Sequence, residues 1–422
     1  MRRWVPLALW ALLVAGAFVV GDVLRRAGIE TEDALPPLHA HPQLPSAWIV
    51  PAVAGAAVAV AALPPLAARL PWRWLLPASW ALAAGWAVVL AVADGPGSLT
   101  RPLEAPTEYP AAIGAVDADP GLWVRTFADR LYAYTTHVRG HPPLPTLVVW
   151  ALDAVGLHGT GWSAALVIGA GASAVPAVAL TLRVLTDESV ARRALPFLVL
   201  APLAVWVATS MDAFFLGVGA WGTAFLALAT RSRAAWPWAV ASGLLLGSLP
   251  YLSYGLLPLF AVPLVVLIVR RPAWPVWAAL VCGLVVVPAA FTAAGFWWFD
   301  GVAATHETYL ISRGSAQRTY AYFAVANVAV LALLTGPATA MALPETRRHR
   351  RSPLVWLAAA ALVGTLALDL SGVTRGEVER IWLPFALWMV PLAVLHRPPA
   401  RLLLAAQAVT ALAIQGFVLS EW

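Results

Sequence analysis

Apolar runs of bilayer length recur along the chain, near residues 4–20, 46–67, 74–93, 163–182, 194–209, 213–230, 235–250, 254–269, 274–295, 322–343, 353–370, 381–395 and 400–418. A bilayer core of about 30 Å is crossed by roughly 20 apolar residues in a helix. Backbone amides without water must find partners inside the segment, so helices are predicted rather than open strands. The pattern therefore predicts an all-α polytopic membrane protein with about 13 transmembrane helices. A further run, 143–157, is only about 15 residues long, contains Asp153 and begins at Pro142-Pro143; it reads as an interfacial helix that does not cross. The opening MRRWVPLALWALLVAGAFVV resembles a secretion signal but lacks a small-x-small cleavage site. It is expected to remain as the first helix, with a cytoplasmic N-terminus.

Charge then sorts the loops. All 27 basic residues are arginine. With 143–157 not crossing, one side holds Arg2, Arg3, Arg69, Arg73, Arg183, Arg192, Arg193, Arg231, Arg233, Arg270, Arg271, Arg347, Arg348, Arg350, Arg351, Arg397 and Arg401, against three acids, Asp187, Glu188 and Glu345. By the positive-inside rule that side is cytoplasmic. If 143–157 crossed, the ETRRHRR cluster at 345–351 would fall outside. The organisation expected is a three-span segment at 1–93, an extracytoplasmic loop with interfacial helices at 94–162, and a bundle of about ten spans at 163–422 with outer loops at 296–321 and 371–380. Long outer loops put any chemistry on the extracytoplasmic face of a bacterial inner membrane, away from soluble nucleotides.

Composition narrows the classes further. The chain is 61% hydrophobic and 11% charged, with mean hydropathy +0.78, which excludes a water-soluble fold. The net charge of +6 follows from the arginine asymmetry, so no nucleic-acid partner is inferred. A single cysteine, Cys282, lies in an apolar run, so neither an internal disulfide nor a cysteine-based metal site is available. The arginine, alanine and proline usage suggests a GC-rich bacterial genome, of the actinobacterial kind.

Several polar residues carry candidate chemistry. Within 101–144, Glu108 precedes Tyr109 and a helix-forming AAIGAV, and LWVRTFADRLYAY fits a short amphipathic helix. A carboxylate beside a sugar acceptor can take its proton while a phosphate departs. His137 and His141 have the four-residue spacing of helix-borne zinc ligands, but Gly140 and Pro142 oppose a continuous helix, and no third ligand stands at a defined spacing, although HAH at 39–41 shares their side. Arg139 and His141 suit a phosphate, since guanidinium forks match its oxygens. Asp212 enters an apolar span, where a charged carboxylate at mid-bilayer costs roughly 2.5 to 3.5 kcal/mol. In 295–323, Trp297, Trp298, Asp300, His306, Arg313, Arg318 and Tyr320 make either a sugar platform or a membrane belt. In 371–380, Arg375, Glu377, Glu379 and Arg380 can pair with one another, or the arginines can hold a lipid phosphate.

PTEYPAAI, GHPPLPTLVVWAL, RVLTDESVARR and SMDAFFLGVGAW occur in an order that resembles the GT-C glycosyltransferases, in particular the branch of protein O-mannosyltransferases and the lipid A aminoarabinose transferase. The likeness covers roughly 107–230. It implies a GT-C-like fold and transfer of a sugar from a polyprenyl-phosphate carrier to a cell-envelope glycan, lipid or protein outside the cytoplasm. By position, Glu108 would be the catalytic base and Asp212 the second acid of the site. Arg139, His141, Arg375 and Arg380 would meet the carrier phosphate, while Tyr109, His137, Trp297, Asp300, His306, Arg313 and Arg318 would line the substrate. No certain cofactor is implied; a divalent metal is compatible. Two extra spans precede the loop, Thr-Glu replaces an Asp-Glu pair, and histidine replaces the lysine before Pro-Pro. The rival readings are a transporter or flippase of envelope lipids and a non-catalytic envelope-assembly protein.

Overall fold

A computed structural model describes residues 4–32, 34–208, 210–311, 315–396 and 400–420. Arg2, Arg3, Arg313 and Arg397 lie outside the described residues. The described residues are mainly helical, with turns and loops between the helices, an isolated bridge between Leu35 and Leu38, and a short antiparallel pairing of β1 (Ala40–Pro42) with β2 (Val418–Ser420), in which Ala40 faces Ser420.

Among the described residues, nine helices are long and apolar enough to cross a membrane. They are α1 (Val5–Arg26), α2 (Val50–Arg69), α3 (Trp72–Ala91), α8 (Thr160–Leu185), α10 (Asp212–Ala229), α13 (Trp274–Ala293), α15 (Tyr320–Ala342), α16 (Pro353–Ser371) and α19 (Ala400–Phe417). Of the other four predicted runs, the one at 235–250 is a single helix as long as α10 but less apolar, and the other three are divided into shorter pieces beside prolines, which remove a backbone donor. The run at 194–209 becomes α9 (Glu188–Val199) followed by a 3-10 turn at Pro202–Trp206. That at 235–250 is α11 (Ala235–Leu252). The run at 254–269 starts as a 3-10 segment, Tyr254–Phe260, and continues as α12 (Ala261–Arg270). The last, 381–395, is divided among α17 (Val378–Ile381), α18 (Leu383–Ala386) and a 3-10 turn at Val390–Leu395. The interfacial run forms α7 (Leu144–Ala154), 11 residues or about 16 Å long, too short to cross.

Glycines let the central helices approach closely, the way membrane helices gain packing when lipid supplies no hydrophobic drive. A side chain at Gly243 of α11 would collide with the Leu280 carbonyl of α13, one at Gly283 with the Val240 carbonyl, and one at Gly217 of α10 with the Ala170 carbonyl of α8. In α15 the backbone breaks at Gly336 (φ 78°) before Pro337. The buried Gln407 of α19 repairs the gap. Its Oε1 accepts from the Ala338 N–H at 3.2 Å, and its Nε2 donates to the Thr335 carbonyl at 2.9 Å, as freed backbone groups require where no water is present.

Loops expected on one side meet one another at one end of the bundle. Gln43 and Gln415 both donate to Asp94, at 2.9 and 2.7 Å, and the Thr319 N–H reaches the Glu30 carbonyl at 3.1 Å. At the opposite end Arg192, from α9, donates to the carbonyls of Ala67 and Leu70 where α2 ends, and Arg270 reaches Thr230. The long loop is a string of short helices, α4 (Ile113–Ala118), α5 (Pro120–Arg125) and α6 (Thr136–Gly140), preceded by 3-10 turns and with one more, Leu131–Ala133, between α5 and α6. LWVRTFADRLYAY is not the single amphipathic helix expected, because α5 ends at Arg125. The bend gathers Trp123, Phe127 and Tyr134 into one cluster with ring centroids 4.9 to 5.7 Å apart, and Phe127 is fully buried there.

Candidate active site

At the loop-rich end, four distant stretches converge on one buried point. Glu108 precedes the 3-10 turn Tyr109–Ala112 in extended backbone, and its side chain is buried. The His137 N–H, on α6, donates to the Thr107 carbonyl at 3.1 Å and so ties α6 to the Glu108 segment. Nδ1 of His137 then lies 2.7 Å from Glu108 Oε1. Across the ring, Nε2 is 3.4 Å from Nη2 of Arg380. A guanidinium can only donate, so the 3.4 Å contact is a hydrogen bond in the tautomer that leaves Nε2 unprotonated and puts the ring proton on Nδ1, the nitrogen beside Glu108.

Arg380, on α17, is the hub. Its Nη1 is 2.9 Å from Oδ2 of Asp212, and its Nη2 is 3.0 Å from Oε2 of Glu377. Asp212 is the first residue of α10, where aligned peptide dipoles favour a carboxylate. The site expected at the outer mouth of that span is thus a closed ion pair, with 7% and 6% of the two side chains exposed. The surrounding anions hold the Arg380 guanidinium well above its usual range, against the opposing effect of burial.

The contacts continue beyond Arg380. Glu377 also meets Arg318 Nη1 at 3.3 Å, Arg318 meets Glu32 Oε1 at 2.7 Å, and Glu32 Oε2 meets His39 Nδ1 at 2.8 Å. The His39 N–H donates to Glu379 Oε1 at 3.0 Å. Cations and anions alternate, so each charge is met by its neighbour rather than by water. Burial disfavours the charged form of Glu377, but Arg380 and Arg318 outweigh it and hold the carboxyl at about 2. The turn carrying it is strained: Glu377 sits at φ 59° and Gly376 at φ 89°. A side chain at Gly376 would collide with Glu32 Oε1 and come within 2.8 Å of Arg318 Nη1.

His141 follows α6 and packs between Tyr109 and Phe215, at centroid distances of 5.8 and 6.0 Å. Its Nδ1 faces the His137 carbonyl at 2.9 Å. Burial, aided by Arg380 and His137 and opposed by Asp212, lowers its pKa to about 4. At neutral pH it is therefore an uncharged ring. Tyr109 is buried and stacks on His137 at 6.1 Å.

Other expected residues sit elsewhere. Arg375 donates to the carbonyls of Gly372, Ala316 and Arg318, which clips two loops together. Arg139 is half-buried, and its guanidinium makes no hydrogen bond or ion pair among the described residues; its carbonyl lies 3.4 Å from Thr305 Oγ1 of α14 (Trp298–Ile311). Trp297, Asp300 and His306, on or beside α14, are exposed and do not join the charged cluster. Glu32 belongs to the cluster without any sequence signal: the first of two adjacent acids in TEDALPPLHAH, it has no local sign that its side chain will be fully buried. His39 reaches the cluster through Glu32, not as a shared ligand with His137. Among the described residues, no group of three or more His, Cys, Asp or Glu side chains is arranged to hold a metal ion.

No family model matches this chain, and no curated protein matches it. Among solved structures it is similar to ArnT from Cupriavidus metallidurans in the apo state, with 20% identity and a TM-score of 0.47. The match covers 74% of this chain and 59% of that one, so this chain spans about three fifths of that structure's length.

Proposed function

We propose that the protein is an integral membrane glycosyltransferase that moves a sugar from a polyprenyl-phosphate carrier to a cell-envelope glycan, lipid or protein on the extracytoplasmic face of a bacterial inner membrane. One observation carries the reading: Glu108, His137, Asp212 and Arg380 meet through contacts of 2.7, 3.4 and 2.9 Å at one end of an apolar bundle. A base and a buried cation at a membrane boundary are the two elements such a transfer requires.

In this reading Glu108 takes the proton of the acceptor hydroxyl as its oxygen attacks the anomeric carbon. The bond from that carbon to the phosphate oxygen breaks, and its electron pair leaves with the polyprenyl phosphate. Negative charge grows on the phosphate, where Arg380 stabilises it and Arg139 supplies a second guanidinium. Glu377, which bridges Arg318 and Arg380, is the counter-anion the phosphate displaces. Asp212 keeps Arg380 aimed. His141, uncharged at neutral pH, contributes shape rather than charge. Trp297, Asp300 and His306 form an exposed rim for the sugar or acceptor. No step is routed through a metal.

The test uses full-length protein in lipid nanodiscs with a labelled polyprenyl-phosphate sugar. Release of free polyprenyl phosphate that is lost in correctly folded Glu108→Gln and Asp212→Asn variants supports the reading. Wild-type turnover in both variants overturns it, and movement of intact carrier between leaflets without release favours a flippase.

A further inference from the structure

At the opposite end of the bundle lie two adjoining cavities of contrasting character. One, of roughly 950 Å³, is lined by Arg193, Arg348, His349, Ser352 and His396. Its lining carries one carboxylate, Glu345, which is already 3.0 Å from Arg348. The other, of roughly 390 Å³, is an apolar slot between Pro64 and Ala68 of α2, Phe197 of α9, and Leu403 and Leu404 of α19. Arg193, Val394 and His396 line both, so the basic chamber and the slot adjoin at these residues.

The cations at this junction are not equivalent. Arg192 is committed, to Glu188 and to the carbonyls of Ala67 and Leu70, at 2.7 to 2.9 Å. Arg193, its neighbour, makes no ion pair or side-chain hydrogen bond among the described residues, and neither does the His396 ring. Two unengaged nitrogen donors beside an apolar slot are complementary to an anion that carries a hydrocarbon tail. A soluble phosphate would satisfy the donors and leave the slot empty.

We infer that this junction is a binding site for an anionic phospholipid, its phosphodiester held by Arg193 and His396 and one acyl chain laid in the slot between α2, α9 and α19. The site shares no residue with the Glu108 cluster and stands whatever reaction that cluster performs.

The experiment is native mass spectrometry of the full-length protein, delipidated and then exposed to phosphatidylglycerol, phosphatidylcholine or glycerol phosphate. The wild type should retain phosphatidylglycerol at least tenfold more than phosphatidylcholine. Arg193→Gln combined with His396→Gln should abolish that preference, and Leu404→Trp should lower phosphatidylglycerol retention while leaving the protein folded by its tryptophan emission. If Leu404→Trp does not fold, Ala68→Leu fills the same slot. Equal retention of the two lipids by the wild type, or undiminished preference in the Arg193/His396 variant, overturns the inference. Displacement of the lipid by glycerol phosphate at comparable concentration would mark a soluble-phosphate site and overturn it as well.

Discussion

Replacing Arg380 by methionine removes the cation on which the buried cluster turns. The change strands Asp212, whose side chain is 6% exposed and whose Oδ2 lies 2.9 Å from the lost Nη1. It also strips Glu377 of a partner at 3.0 Å and His137 of one at 3.4 Å. At an effective dielectric of about 20, unit charges about 4 Å apart attract by roughly 4 kcal/mol, and breaking one partner out of a buried pair typically costs about 3 to 5 kcal/mol. Asp212→Asn should cost less, about 1 to 3 kcal/mol, because Arg380 keeps Glu377. The double variant leaves neither charge stranded at the Asp212 position, so its loss should fall short of the sum of the single losses by about 1 to 3 kcal/mol. Tryptophan fluorescence during denaturant unfolding in micelles gives all three values from one protocol. Turnover separates stability from chemistry: the double variant should recover stability without recovering transfer. A coupling below about 0.5 kcal/mol would mean that the two residues do not share a buried pair, and the account of the hub would fail.

Three further outcomes are expected. His141 titrates at about 4 in the folded chain against about 6.5 when exposed; above pH 6.5 both states are neutral and nothing is lost, while from 6.5 down to 4 only the unfolded chain takes up the proton. Stability should therefore fall by about 3 kcal/mol across that window, and a His141→Phe variant that keeps the same pH slope would refute the assignment. Gly376→Ala should destabilise the loop at 371–380 and lower transfer, since a side chain there meets Glu32 and Arg318 and the backbone lies at φ 89°; unchanged unfolding and turnover would show that the turn is not constrained. Gln407→Leu leaves the Ala338 N–H without its partner, while the Thr335 carbonyl keeps the Thr339 hydroxyl at 2.9 Å, so the expected loss is about 1 to 3 kcal/mol, measurable as an unfolding shift with little change in the activity of the folded fraction.

Hydropathy and arginine distribution are sums over neighbouring residues, and neighbouring residues are what a sequence displays. The positions of the apolar helices, the failure of 144–154 to reach across a membrane and the grouping of the loops at two ends are therefore legible in the order of residues alone. So are Glu108, His137, Asp212 and Arg380 as individual candidates, because charges are rare in so apolar a chain. Their partnerships are not. Arg380 and Asp212 are 168 residues apart, and which carboxylate meets which cation depends on how α10, α17 and the loops dock, to within an ångström. Glu32 shows the limit most plainly: nothing around it in the chain marks it for burial, yet Arg318 and His39 close over it. Likewise the glutamine in α19 looks like a stray polar residue until the broken backbone of α15 is laid beside it. Local sums of polarity determine where a chain enters a membrane. Only the packed helices, which exclude water and leave each buried charge to find a protein partner, decide what the polar residues do there.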